Sequence, residues 1–147
     1  MTPEAHKHLS SIDPVMRLLI REHGQCGLSP ETRRTPFQSL VQAALSGVVP
    51  GPREIVNLSD DEIILRLTQV RGVGRWTVEM LLIFQLGRHD VLPAHDFGVR
   101  NGFRHAYRKR ALPEPKQILA HGEIWRPFRT TASWYLWCAA DALKKKK

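Results

Sequence analysis

The feature that most constrains this sequence is a glycine hairpin, Gly72-Val73-Gly74, which lies between two segments with helical patterns. Two glycines around one apolar residue let the backbone turn tightly and approach a partner closely. The amides after Gly74 lie at the start of the next helix, where the helix dipole favours an anion. The hairpin therefore predicts two helices joined by an anion-binding turn.

Helix-start signals and apolar periodicity recur along the rest of the chain. Asp13-Pro14 and Thr35-Pro36 each place proline directly after a capping residue, and Ser59-Asp60-Asp61-Glu62 is a capping box. No strand alternation extends beyond a few residues, so we expect an all-α bundle of about seven helices. The predicted helices cover residues 15–23, 37–45, 53–58, 59–68, 75–86, 96–107, 118–121 and 128–143.

The charge of the chain suits a nucleic-acid partner without proving one. Lys and Arg number 22 against 14 acidic residues, which gives a net charge of +8. Four of these positive charges are the terminal lysines at 144–147, so the remaining chain carries +4. A modest excess of this kind is typical of nucleic-acid-binding domains. We predict a single helical domain over 1–143, followed by a basic tail over 144–147.

The cysteines and the hydropathy of the chain limit its cofactors and its location. Cys26 and Cys138 are far apart and belong to no CxxC or CxxH spacing, so we expect neither a zinc site nor an iron–sulfur cluster. No apolar run is long enough to span a membrane. We therefore expect a cytoplasmic protein without a membrane partner.

The residues on either side of the hairpin help to decide between a simple turn and a DNA-binding motif. A bare G-x-G is most simply a helix cap followed by a tight turn. Here a capped helix precedes it, a long apolar helix follows it, and Arg71 and Arg75 flank it. Together these features indicate a helix–hairpin–helix, which clamps the DNA backbone independently of sequence.

Asp96 and the tryptophans each have a structural and a chemical interpretation. Asp96 is placed to cap the helix that follows it, and an ionised acid there could also stabilise a developing oxocarbenium ion. The aromatic residues belong to the core by default, although a few of them could instead line a pocket for an extruded base. They are Trp76, Trp125, Trp134, Tyr135 and Trp137, and we name Trp76 and Trp125 as the pocket candidates. The sequence alone leaves these alternatives open.

The run LTQVRGVGRWTVEMLLIFQLGRHDVLPAHDFGVR resembles the helix–hairpin–helix DNA glycosylases (the HhH-GPD superfamily). Within them it is most similar to the bacterial DNA-3-methyladenine glycosylase II, or AlkA-like, branch. The signature there is a hairpin of the form G-[VI]-G-R-W-T followed by a loop ending in P-x-D-D. The resemblance continues through WRPFRTTASWYLW and is also visible at Asp13-Pro14 and TPFQSLVQA.

This resemblance implies a base-excision repair enzyme that hydrolyses the N-glycosidic bond of alkylated purines, such as 3-methyladenine, in double-stranded DNA. It implies that Asp96 is the catalytic carboxylate and that Trp76 occupies the position of the Schiff-base lysine of bifunctional relatives. A tryptophan cannot form that imine, so we expect a monofunctional enzyme. The resemblance also implies a Na⁺ or K⁺ ion on the backbone carbonyls of Thr68, Val70 and Gly72. The DNA-binding residues it implies are Arg71, Gly72, Val73, Gly74, Arg75, Trp76 and Thr77.

The sequence departs from the family pattern at two places. The P-x-D-D loop is Pro93-Ala94-His95-Asp96 here, so the first acid is a histidine. After Gln42 the chain continues almost directly into ALSGVVPG, and about forty residues, or two to three helices, are missing relative to the family. The missing helices normally complete the substrate cleft, and no wedge residue is identifiable.

Three hypotheses follow. The first is an active bacterial glycosylase, associated with the nucleoid when it is bound to DNA. The second is a non-catalytic DNA-binding module with an incomplete cleft. The third is a helical protein-interaction domain in which the hairpin is only a turn. A shortened bundle that exposes apolar surface would favour a homo-oligomer.

Overall fold

The computed structural model describes residues 2–24 and 52–144, and in these ranges every regular element is helical. This confirms the predicted all-α class. The elements are α1 (Pro3–Ile12), α2 (Pro14–His23), α3 (Pro52–Ile55), α4 (Asp60–Leu67), α5 (Arg75–Phe84), α6 (Phe97–Ala106), α7 (Pro115–Gly122), a 3₁₀ turn (Glu123–Trp125) and α8 (Arg129–Lys144).

The local cap signals set the observed helix starts. Asp13 caps α2 through its side chain, and Ser59 and Glu62 form both halves of the capping box that starts α4. The helix α1, after Thr2-Pro3, was not predicted, although proline at its first position is the same start signal as at Asp13-Pro14. The helix predicted over 37–45 and the junction after Gln42 lie outside the described residues.

The chain divides into two compact units. One comprises Met1–Ser29 with His89–Lys147, and the other comprises Pro30–Arg88. No helix in the described ranges is both long and apolar enough to cross a membrane.

In the larger unit, α6 and α8 pack against each other more extensively than any other pair of the helices just given. A Cβ atom at Gly102 of α6 would lie 1.9 Å from the carbonyl oxygen of Leu136 in α8, so only glycine allows this backbone approach. The two helices therefore cross in close contact. The surrounding core is formed by buried side chains that include Leu9, Met16, Val99, Phe103, Ile118, Tyr135 and Leu136.

A buried carboxylate, Asp13, joins four elements of this unit. Its Oδ1 accepts hydrogen bonds from the first-turn amides of α2, at Val15 (2.9 Å) and Met16 (3.3 Å). Its Oδ2 lies within hydrogen-bonding distance of three side chains from α7, the 3₁₀ turn and the residue after α6: His121 Nε2 (3.1 Å), Trp125 Nε1 (2.9 Å) and Tyr107 Oη (2.5 Å).

These contacts set the protonation of the cluster. Burial acting alone would raise the pKa of Asp13, but the hydrogen bonds from His121, Tyr107 and Trp125 outweigh it and hold the pKa well below its usual range. Burial raises the pKa of Tyr107, and its hydrogen bond to the Asp13 carboxylate raises it further. The cluster therefore contains an ionised carboxylate and a neutral phenol, and its arrangement is that of a structural joint.

In the smaller unit, α4 packs against α5. The residues Val78 to Ile83 of α5 are all buried, as the continuous apolar pattern of this helix indicated. Arg88 donates to the carbonyl oxygen of Leu58 (2.7 Å) and lies 3.2 Å from a carboxylate oxygen of Asp60, so it connects the end of this unit to the start of α4.

We predict that Gly102→Ala lowers the free energy of unfolding by about 1–3 kcal/mol, because the new methyl group forces α6 away from Leu136. Urea unfolding monitored by circular dichroism measures this change. Gly74→Ala is the matched control, since a Cβ at Gly74 meets nothing within 4 Å. Equal stability of the Gly102→Ala and Gly74→Ala variants would contradict the close helix contact.

Candidate active site

The predicted site residues fall into two groups, one in each unit. The hairpin and Trp76 belong to the smaller unit, whereas Asp96 and Trp125 belong to the larger one. The geometry of each group is described by itself.

The hairpin has the conformation that its glycines predict. Gly72 has φ +86°, in the left-handed region that favours glycine, and the Val73 amide donates to the Val70 carbonyl (3.0 Å) to close the turn. Gly74 is the N-cap of α5 and has no side chain with which to cap it. The first amides of α5 therefore present the positive end of the helix without a side-chain acceptor from the N-cap.

The side chains around the hairpin differ in their exposure and in their bonds to the rest of the protein. Arg71 is exposed. Arg75 Nε donates to Glu79 Oε1 (2.9 Å), so its guanidinium lies along α5 beside a buried carboxylate. Trp76 is 48% exposed at the second position of α5. An exposed arginine, an exposed indole and helix-start amides together form a surface suited to an anion and to a flat aromatic ring.

Asp96 is the N-cap of α6, as predicted. Its Oδ1 accepts from the Val99 amide (2.8 Å) and from the indole Nε1 of Trp137 in α8 (2.7 Å). A turn behind it, in which the Asp96 amide donates to the Pro93 carbonyl (2.9 Å), fixes the backbone. The carboxylate is half-buried, and two donors on one oxygen define its orientation.

Trp137 reaches Asp96 because residue 98 is glycine. A Cβ at Gly98 would lie 2.8 Å from Trp137 Cδ1 and 3.2 Å from its Nε1, so the indole occupies the space that another side chain would need. This contact joins residues 41 positions apart, and the sequence reasoning missed it. The available signal was Gly98 and Gly102, which are four residues apart and so share one face of α6.

Phe97 is a second residue that the sequence reasoning missed. It follows Asp96 directly and is 67% exposed, which is unusual for a phenylalanine. Trp125, in contrast, is fully buried and donates its indole N–H to Asp13. This position favours the core interpretation of Trp125 over a base pocket, whereas Phe97 places an accessible aromatic face beside the carboxylate.

Three other kinds of reactive group could compete with Asp96 among the described residues: a histidine, a thiol and a cluster of metal ligands. His95 is exposed next to Asp96. Burial raises the pKa of the Cys138 thiol to about 11, which keeps it protonated at neutral pH and poorly nucleophilic. Among the described residues, no three His, Cys, Asp or Glu side chains cluster as metal ligands. Asp96 is therefore the candidate reactive carboxylate among the described residues.

The described fold is all-helical, with a glycine hairpin before the buried helix α5 and a capping aspartate at the start of α6. This arrangement is that of a helix–hairpin–helix glycosylase domain. A solved structure of Schizosaccharomyces pombe 3-methyladenine DNA glycosylase (Mag1), in complex with abasic DNA, superposes with a TM-score of 0.77 at 32% identity. The superposition covers 91% of this chain and 95% of that chain. The chain belongs to the DNA-3-methyladenine glycosylase family.

Two curated relatives from S. pombe agree with this assignment. DNA-3-methyladenine glycosylase 1 is 49% identical over 112 residues, which are 76% of this chain and 49% of that protein. The alkylbase DNA glycosidase-like protein mag2 is 34% identical over 113 residues, which are 77% of this chain and 53% of that protein. The chain thus spans about half the length of the curated relatives that it matches. No protein-family model matches the sequence.

We predict that Asp96→Ala lowers the free energy of unfolding by about 1–2 kcal/mol, whereas Asp96→Asn changes it by less. Alanine removes the acceptor for both the Val99 amide and the Trp137 indole, but an asparagine oxygen can take both hydrogen bonds. Chemical unfolding of the two variants measures the difference. Equal losses in the two variants would show that the amide oxygen does not replace the carboxylate oxygen at the cap.

Proposed function

We propose that the chain is a monofunctional DNA glycosylase that hydrolyses the N-glycosidic bond of alkylated purines such as 3-methyladenine. The observation that carries the proposal is the Asp96 carboxylate, oriented by the Val99 amide and the Trp137 indole in a chain of this family. The enzyme names of the relatives favour this function over the non-catalytic module and over the protein-interaction domain.

The reaction needs little more than one fixed negative charge. Alkylation leaves a positive charge on the purine, so the bond from C1′ to the base nitrogen breaks with both electrons moving to the base, which leaves neutral. The sugar develops oxocarbenium character, and a carboxylate fixed in advance stabilises that charge without reorganising. Water then adds at C1′ and loses a proton, which gives an abasic site.

The hairpin supplies the DNA anchor in this proposal. The amides of Gly74, Trp76 and Thr77 at the start of α5 hold a phosphate, with Arg71 and Arg75 adding positive charge. Trp76 carries no amine and so forms no imine with the sugar, which leaves strand cleavage outside the reaction. Trp76 and Phe97 are both accessible and could each stack on a base.

In this proposal the backbone carbonyls of Thr68, Val70 and Gly72 would hold a Na⁺ or K⁺ ion, because uncharged backbone oxygens are ligands that hard cations accept. The ion would neutralise part of the phosphate charge at the clamp. The proposal includes no iron–sulfur cluster, since the sequence has two cysteines and such a cluster is usually held by four. Association with the nucleoid of a bacterial cytoplasm and assembly into a homo-oligomer stay predictions.

We expect Asp96→Asn to lower release of free base from methylated duplex DNA by about 100-fold or more, because the stabilising charge is lost. Chromatography of the released base measures the rate, and fluorescence anisotropy with an abasic-site analogue measures affinity, which we expect to be retained. No strand nick should appear with the parent protein. If the Asp96→Asn variant released base at the parent rate, Asp96 would have no part in the reaction. If the parent released no base but still bound DNA, the non-catalytic DNA-binding module would be the correct hypothesis.

We expect Gly72→Ala to weaken binding to duplex DNA about tenfold, since a side chain at φ +86° strains the hairpin and costs about one hydrogen bond to phosphate. Gly24→Ala is the matched control. Gly24 also has a positive φ of +69° with nothing within 4 Å of an added Cβ, but it lies at the end of α2. A loss of affinity in both variants, or in neither, would contradict the role of the hairpin.

A further inference from the structure

The larger unit contains a cavity of about 500 Å³ at the end of α6 opposite to Asp96. Asp96 caps the N-terminus of α6, whereas the cavity is lined by residues of its last turn, about 12 Å further along the helix axis. The two sites are therefore distinct, and the glycosylase chemistry proposed above does not use the cavity.

The lining of the cavity combines apolar and cationic side chains. Leu18 and Leu19 of α2 and Leu143 of α8 contribute apolar surface, and Leu18 is 49% exposed. The cationic residues come from the end of α6 and the turn after it, and they are Arg104, Arg108 and Lys109. Glu22 is the one acidic residue of the lining.

A turn after α6 places Arg108 and Lys109 next to the last turn of the helix. The Lys109 amide donates to the Arg104 carbonyl (2.8 Å), which folds the chain back across the end of α6. Arg108 adopts φ +51°, the left-handed conformation that commonly ends a helix, and its amide donates to the His105 carbonyl (3.1 Å). In the part of the chain that the structure describes, no ion pair involves Arg104, Arg108 or Lys109.

We propose that this cavity is a docking site for an acidic amphipathic helix of a partner protein. Leucine-type side chains on one face of the helix would fill the apolar part of the cavity, and carboxylates beside them would meet the cations of α6. A second copy of this chain is a poorer occupant, because the chain carries a net charge of +8. The DNA backbone is also a poorer fit, since it offers no apolar group for Leu18 and Leu143.

The test uses the full chain and a fluorescein-labelled synthetic 14-residue helix with leucines at i, i+3, i+4 and i+7 and glutamates on the flanking positions. We expect micromolar binding by anisotropy. A peptide with lysine in place of glutamate and one with serine in place of leucine should each bind at least about tenfold more weakly. Amide chemical shifts should move at Leu18 and Ala106 and stay unchanged at Asp96.

Variants locate the site. Arg108→Glu with Lys109→Glu should weaken the peptide about tenfold through charge repulsion, and Leu18→Ser should weaken it through loss of apolar contact. Lys116→Glu and Leu119→Ser are the matched controls, because both residues are exposed on α7 outside the cavity. Base release should be unchanged in Leu18→Ser, which separates this proposal from the proposed enzyme function.

Three results would overturn the proposal. They are equal affinity for the acidic and basic peptides, equal losses in the cavity and α7 variants, and displacement of the peptide by duplex DNA that shifts the same amides. The third result would assign the surface to DNA.

Discussion

The close approach of α6 to α8 is the contact on which the Asp96 site depends. Gly98 and Gly102 stand one turn apart on α6, and each leaves a space that α8 fills, with the Trp137 indole against Gly98 and the Leu136 carbonyl against Gly102. A helix separation of this kind lets the indole N–H reach Asp96 Oδ1. A larger residue at Gly102 would push α6 and α8 apart, and one at Gly98 would displace the Trp137 indole. Either change would take one of its two donors from the carboxylate.

The larger unit contains two N-cap aspartates that differ in how deeply they are buried. Asp13 and Asp96 are both N-cap aspartates, and each also accepts a hydrogen bond from a tryptophan indole. Asp13 is 2% exposed and its donors come from four elements, so its charge is fully satisfied by hydrogen bonds within the fold. Asp96 is half-buried, with an exposed Phe97 next to it, so its charge can act on a bound molecule. The two caps therefore differ in burial: Asp13 is enclosed by the fold, whereas Asp96 is open to a bound molecule, as its proposed role requires.

Local signals predicted most of the described fold, because a helix start is decided by a few neighbouring residues. The caps at Asp13 and Ser59, the hairpin at Gly72 and the cap at Asp96 were all legible in this way. Contacts between distant segments were not. The bond between Asp96 and Trp137, the burial of Trp125 and the exposure of Phe97 depend on which helix faces which, and apolar periodicity alone does not pair the faces. Those contacts distinguish a carboxylate that caps a helix from one that is also aimed by a second helix.

The charges at the two ends of α6 have a partial explanation in helix stability. The acid Asp96 at the N-terminus and the cation Arg104 in the last turn both complement the helix dipole, and each is worth a few tenths of a kcal/mol to about 1 kcal/mol. This accounts for the sign of the charge at each end. It also accounts for the left-handed Arg108, because the amides of Arg108 and Lys109 donate to the carbonyls of His105 and Arg104 and so close the end of the helix. It does not account for Leu18, which is half exposed and lines the same cavity as Arg104, Arg108 and Lys109. Apolar surface in water stabilises neither α2 nor α6, and the partner helix proposed above would cover it.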